Sequence, residues 1–224
     1  MLFLRRLPAL LFALYPCISS AQTNAAASNN GAAEQKTISS LAPFAGREGK
    51  VLSLMLNNKR TLKLRDGDTC EVPEKCLVHR LLGLSSDRQF FAVEVLGYES
   101  RTVIWIGRHS GTQHEVYGEP VTSPNGKWIV TANPSEFGGT NGVFVWQVHA
   151  DRLIEKLNFQ PDSYALYSFV RWENNDSILL RKITHADKSV CPGAQLMEFN
   201  VTVRNDGTLW KFDENAGFKE LRCQ

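Results

Sequence analysis

Long apolar runs are almost missing from this chain of 224 residues. The one concentrated apolar stretch, residues 7–15, falls short of the about 20 residues that a bilayer-spanning helix takes. No transmembrane segment is therefore expected in the mature chain. Catalytic signatures are missing as well. There is no His-Glu-x-x-His, no Gly-x-Ser-x-Gly elbow and no glycine-rich phosphate loop. Hence no catalytic residue, metal ligand or cofactor is assigned. An excess of charge of one sign is also missing. Removing Arg5 and Arg6 with the N-terminal segment brings 25 basic and 23 acidic residues to parity. A chain at parity offers no basic stripe, which excludes nucleic acid as the expected partner. Helical periodicity is scarce too, and period-two alternation takes its place.

What is present begins with an export signal. Arg5 and Arg6 precede a short apolar core, and Ser19 and Ala21 are the small residues before a cut after Ala21. Residues 1–21 are read as a signal peptide, which implies a periplasmic or secreted protein. Leu14-Tyr15-Pro16-Cys17 has the outline of a lipoprotein box, against which Pro16 counts. Residues 22–40 are rich in Ala, Asn, Ser and Gln and read as a disordered linker. The folded domain is expected over residues 41–224.

Of five cysteines, Cys17 leaves with the signal. Four cysteines in an exported chain imply disulfides, with three pairings open. Cys70–Cys76 would close a short polar loop, and Cys191–Cys223 would pin the C-terminal tail.

A polar turn followed by an apolar strand recurs. Ser85-Ser86-Asp87-Arg88-Gln89 leads into Phe90-Phe91-Ala92-Val93. Ser123-Pro124-Asn125-Gly126-Lys127 leads into Trp128-Ile129-Val130, and Glu173-Asn174-Asn175-Asp176 into Ser177-Ile178-Leu179-Leu180. Superposing the copies predicts strands at 77–84, 89–96, 102–107 and 114–117, then at 119–122, 127–132, 143–148 and 153–158. Trp105 and Trp146 fall at the same place in their third strands. A third, looser unit covers 167–212, and a hairpin around Asn57-Asn58-Lys59-Arg60 precedes them all.

These turns resemble the Ser-Pro-Asp-Gly turns of bacterial periplasmic β-propeller repeats of the TolB and WD40-like kind. Ser123-Pro124-Asn125-Gly126 is the nearest copy. The resemblance covers about 77–212 and implies an all-β fold of repeated four-stranded antiparallel sheets, β-propeller-like and incomplete or open. It lacks the Trp-Asp and Gly-His marks and has uneven spacing. A β-sandwich is the alternative. An open stack leaves an edge or face to be met by a partner, by a second copy in self-association, or by a cap from the leading hairpin.

Candidate chemistry is thin. His109, His114 and Glu115 lie near one turn but fall short of a metal-ligand set. Asp66-Gly67-Asp68 with Glu71 lacks the full series of a calcium loop and reads as a turn. Trp105, Trp128, Trp146 and Trp210 lie in predicted strands and read as packing between sheets. The loops between second and third strands vary most and are expected to share one rim, where rigid scaffolds place binding residues. Tyr98, Arg101, Glu136, Phe137 and Asn141 are therefore the candidate binding residues. The expected function is non-catalytic binding of another envelope or secreted protein, as an immunity or inhibitor protein does. The alternative is a hydrolase of glycan or peptide with acid–base pairs drawn from Glu94, Glu99 and Glu136.

Overall fold

The computed structural model describes residues 22–136, 140–212 and 219–224, with the side chains of 22–30 left aside. The signal segment 1–21 and Phe137 lie outside the described residues. Four antiparallel sheets follow one another along the chain. The first holds β1 (Ala45–Glu48), β2 (Val51–Met55) and β3 (Thr61–Arg65). The second holds β4 (Val78–Leu84), β5 (Phe90–Leu96), β6 (Arg101–Gly107) and β7 (Gln113–Glu115). The third holds β8 (Val121–Thr122), β9 (Trp128–Asn133), β10 (Gly142–His149) and β11 (Arg152–Phe159). The fourth holds β12 (Ala165–Asn174), β13 (Ser177–His185), β14 (Leu196–Asn205), β15 (Trp210–Phe212) and β16 (Lys219–Cys223). Strand order is sequential in the first three sheets; in the fourth, β15 and β16 share one side of β14. Four sheets, rather than two, set this arrangement apart from a two-sheet sandwich.

Alternation explains the stacking. In β2, Leu52 and Leu54 are fully buried while Val51, Ser53 and Met55 are half-exposed. Three apolar cores join successive sheets. Leu52, Leu54 and Leu64 meet Leu81, Phe91 and Ile106 between the first and second. Phe90, Trp105 and Val116 meet Ile129, Phe144 and Trp146 between the second and third. Trp128, Val130 and Val143 meet Tyr167, Ile178 and Trp210 between the third and fourth. Trp105 and Trp146 lie in the same core, each 4% exposed, so their matched positions serve packing. None of these three cores combines the first sheet with the last.

The recurrent turn has a physical basis. Ser85 Oγ donates to Asp87 Oδ1 and accepts from Phe90 N–H, while Asp87 Oδ1 also accepts from Gln89 N–H. Ser123, Asn125, Trp128 and Lys127 repeat this wiring bond for bond. Each turn needs one left-handed residue, Arg88 at φ 59° and Gly126 at φ 72°. The leading hairpin repeats the acceptor and the kink, with Asn58 Oδ1 taking Arg60 N–H and Lys59 at φ 65°. The third copy departs from it. There Asn174 accepts from Asp176 N–H, Ser177 donates to Glu173, and neither Asn175 nor Asp176 is left-handed. The full wiring thus belongs to the second and third sheets, the acceptor and kink recur in the leading hairpin and at Asp206-Gly207-Thr208 of the fourth, and the third sequence copy matches by composition alone.

Residues 22–40 correct the sequence expectation. Instead of a disordered linker they form α1 (Gln22–Ser40). Its composition does not favour a helix, and tertiary contacts supply what propensity does not. Ile38 is buried in the first core, and Glu34 is buried against β4. Both expected disulfides are present. Cys70–Cys76 spans 4.1 Å and Cys191–Cys223 spans 5.5 Å between Cα atoms. Beyond the second, Gln224 exchanges backbone hydrogen bonds with Leu196 and so closes the tail onto β14.

Candidate functional site

The second and third sheets enclose two adjoining clefts that share Arg101, Thr102, Tyr117 and Asn133. The inner cleft, about 920 Å³, runs from the Leu82–Ser86 end of β4 to the segment entering β8. The outer cleft, about 860 Å³, opens at the rim beside Tyr98, Glu99 and Ser100. Pro73 and Cys76 of the first disulfide loop form its far wall.

Local structure sets the lining. Gly97 N–H bonds to the Ser100 carbonyl, a tight turn that sends Tyr98 outward with 54% of its surface exposed. Arg101 opens β6, and its Nε donates to Glu94 Oε1 at 2.5 Å. Glu94 Oε2 accepts from Arg80 Nη1 at 2.7 Å. The carboxylate is 3% exposed and stands between two guanidiniums, as buried charges must. Arg101 remains largely exposed and lines both clefts. Tyr117 adopts φ 55° and lays its ring 4.5 Å from Phe144. Trp105 lines the inner cleft with a buried indole N–H that has no acceptor among the described residues. Asn133 Nδ2 donates to the Thr140 carbonyl and draws the ends of the 134–140 loop together. The cleft therefore offers aromatic faces, a guanidinium and the Glu99 and Glu115 carboxylates, with Glu115 accepting from Thr102.

Of the sequence candidates, Tyr98 and Arg101 line this cleft together. Glu136 and Asn141 turn instead toward the fourth sheet. Glu136 accepts the Tyr164 hydroxyl, and that hydrogen bond, with burial and repulsion behind it, raises the Tyr164 phenol. Asn141 Nδ2 donates to the Ala165 carbonyl. Glu94 is enclosed by Arg80 and Arg101, both of its carboxylate oxygens being taken by them.

The histidines separate as well. His114 Nε2 accepts the Leu153 N–H at 3.3 Å across the sheet boundary, while His109 gives only its backbone N–H to Asp151. Among the described residues no group of three or more His, Cys, Asp or Glu side chains gathers as a metal site. No described helix is long and apolar enough to cross a membrane.

Asp66 has a role that motif inspection passed over. It accepts Arg47 Nη1 at 2.7 Å and the His79 N–H at 2.8 Å, at the open side of β4. Glu34 accepts the Leu81 N–H at 2.8 Å and Arg47 Nη2 at 3.0 Å. The signal in the sequence was slight: one acid, Glu34, in a segment otherwise without Asp or Glu.

The chain matches no protein-family model and no curated protein.

Proposed function

We propose that this chain is a non-catalytic exported binding protein whose cleft between the second and third sheets receives a segment of another envelope or secreted protein. The four stacked sheets are an open, β-propeller-like scaffold in this reading, and the cleft is where two of its blades meet. One observation carries the proposal. Two rim residues of types enriched at interface hot spots, Tyr98 and Arg101, line the same outer cleft, which continues inward past Tyr117 to the Leu82–Ser86 end of β4. A continuous channel with aromatic walls and paired charges at its mouth suits an extended polypeptide. The enclosure of Glu94 by two arginines supports binding over hydrolysis.

The test uses immobilised mature protein against envelope extract, beside Tyr98→Ala and Glu99→Lys chains. A protein retained by the wild type and lost from both variants is the expected result. Equal retention by all three overturns the proposal.

A further inference from the structure

The two clefts are unevenly charged. Three carboxylates line them, Glu99 and Glu115 in the outer and Glu119 in the inner, against a single cation, Arg101. The chain as a whole carries 25 basic and 23 acidic residues, so the local excess of acid belongs to the place and not to the composition. Arg101 is already committed. Its Nε holds Glu94 Oε1 at 2.5 Å, and Glu94 is held again by Arg80 at 2.7 Å. Glu99, Glu115 and Glu119 are exposed and have no cationic partner among the described residues. Glu115 accepts the Thr102 hydroxyl at 2.9 Å, a neutral donor that leaves its charge unmatched.

A second feature of the same cleft points to an occupant. Trp105 lines the inner cleft at 4% exposure, and its indole N–H has no acceptor among the described residues. A buried donor left without an acceptor is costly. An indole N–H can only donate, so an oxygen acceptor completes it, as a peptide carbonyl does. Tyr98 and Tyr117 add aromatic faces in the outer cleft, which attract an ammonium or guanidinium group.

We propose that the segment this cleft receives is an extended basic peptide of the partner protein. The inference rests on the reading of the cleft as a protein-binding site and adds the chemistry of its occupant. Lysine or arginine side chains meet Glu99 and Glu115 in the outer cleft and Glu119 in the inner. A backbone carbonyl of the same segment supplies the acceptor that the Trp105 N–H lacks. Selection works by repulsion as well as attraction, because an acidic segment brings like charge against three carboxylates. The carboxylates are solvated, so each pair is modest and weakens as salt rises.

The probes are three fluorescent peptides in which Val alternates with Lys, with Gln or with Glu, titrated by anisotropy into the full mature chain at low salt. The Lys peptide is expected to bind most tightly and the Glu peptide least. Replacing both outer carboxylates, Glu99→Gln with Glu115→Gln, is expected to weaken the Lys peptide on the order of tenfold and to leave the Gln peptide unchanged. Glu155→Gln, which removes an exposed carboxylate on β11 outside the clefts, is expected to change neither. Three peptides bound alike, and all lost with Tyr98→Ala, overturn the basic occupant while the cleft stands as a binding site. Lys-peptide binding that survives both Tyr98→Ala and the paired glutamine change overturns the inference, because the peptide then binds elsewhere. No binding of the Lys peptide overturns it too, and retention from envelope extract then decides the cleft alone.

Discussion

His114 is the residue through which acid reaches this fold. Its Nε2 accepts the Leu153 N–H, which only a neutral ring allows. Burial lowers the imidazole; Asp151 raises it by less, and Arg152 adds to the lowering. The unfolded chain takes up this proton near about 6.5, the folded chain only at lower pH. Its contribution to stability is therefore whole above about 6.5 and is lost as pH falls through the folded value. Asp151 adds to this at lower pH. Burial alone would raise its carboxyl, but the backbone and hydroxyl of Ser110 and the His109 N–H together bring it below the ordinary range. Its share is present above about 4 and lost further into acid. Urea midpoints followed from about pH 7 to pH 5 should fall in wild type and fall less in His114→Gln. Parallel slopes would place the loss elsewhere.

Among the elements, the shared turn separates two kinds of cost. Ser123→Ala leaves the buried Trp128 N–H without its acceptor and should cost about 1–3 kcal/mol. Gly126→Ala meets no atom within 4 Å, so its cost is conformational alone, about 1–2 kcal/mol. Arg88→Gly at the matching position should be neutral or mildly stabilising, since it releases a side chain from the same strained backbone. Denaturant unfolding of the three variants checks the set. The same scale shows what the sequence made legible. The strands of the second and third sheets fall within a residue or two of their predicted bounds because alternation and turn chemistry are local. β1 was missed because Ala45-Gly46-Arg47-Glu48 has no apolar rhythm and forms by pairing with β2. α1 was missed because Glu34 and Ile38 act only once β4 and the first core exist. The third turn copy shares the composition of the others but lacks the left-handed residue at their kink.

For the whole molecule, the two disulfides should differ in weight. Cys191 and Cys223 are 32 residues apart, and removing that bond should cost about 3–4 kcal/mol. Cys70 and Cys76 are 6 apart, and the same model gives about 2 kcal/mol. Thermal melts of the two double-serine chains should keep that order. Hydrogen exchange should show β16 opening first in the Cys191→Ser, Cys223→Ser chain, since all five of its residues are exposed. The cleft was the least legible feature. Tyr98 and Arg101 could be named as loop residues, but Tyr117, Trp105 and Asn133 join them only through the meeting of two sheets, and no spacing in the chain encodes that.

The sequential strand order also has a meaning in time. A polypeptide appears N-terminus first, and every strand of the first three sheets pairs only with strands next to it in the chain. Each of these sheets finds its partners within the stretch already released, and even the Leu81 N–H meets a carboxylate, Glu34, that emerged before it. Only the fourth sheet must wait, because β14 is completed by β16 at the very end of the chain. Each of the first three sheets is thus complete within its own stretch of chain, and only the fourth also draws on β16.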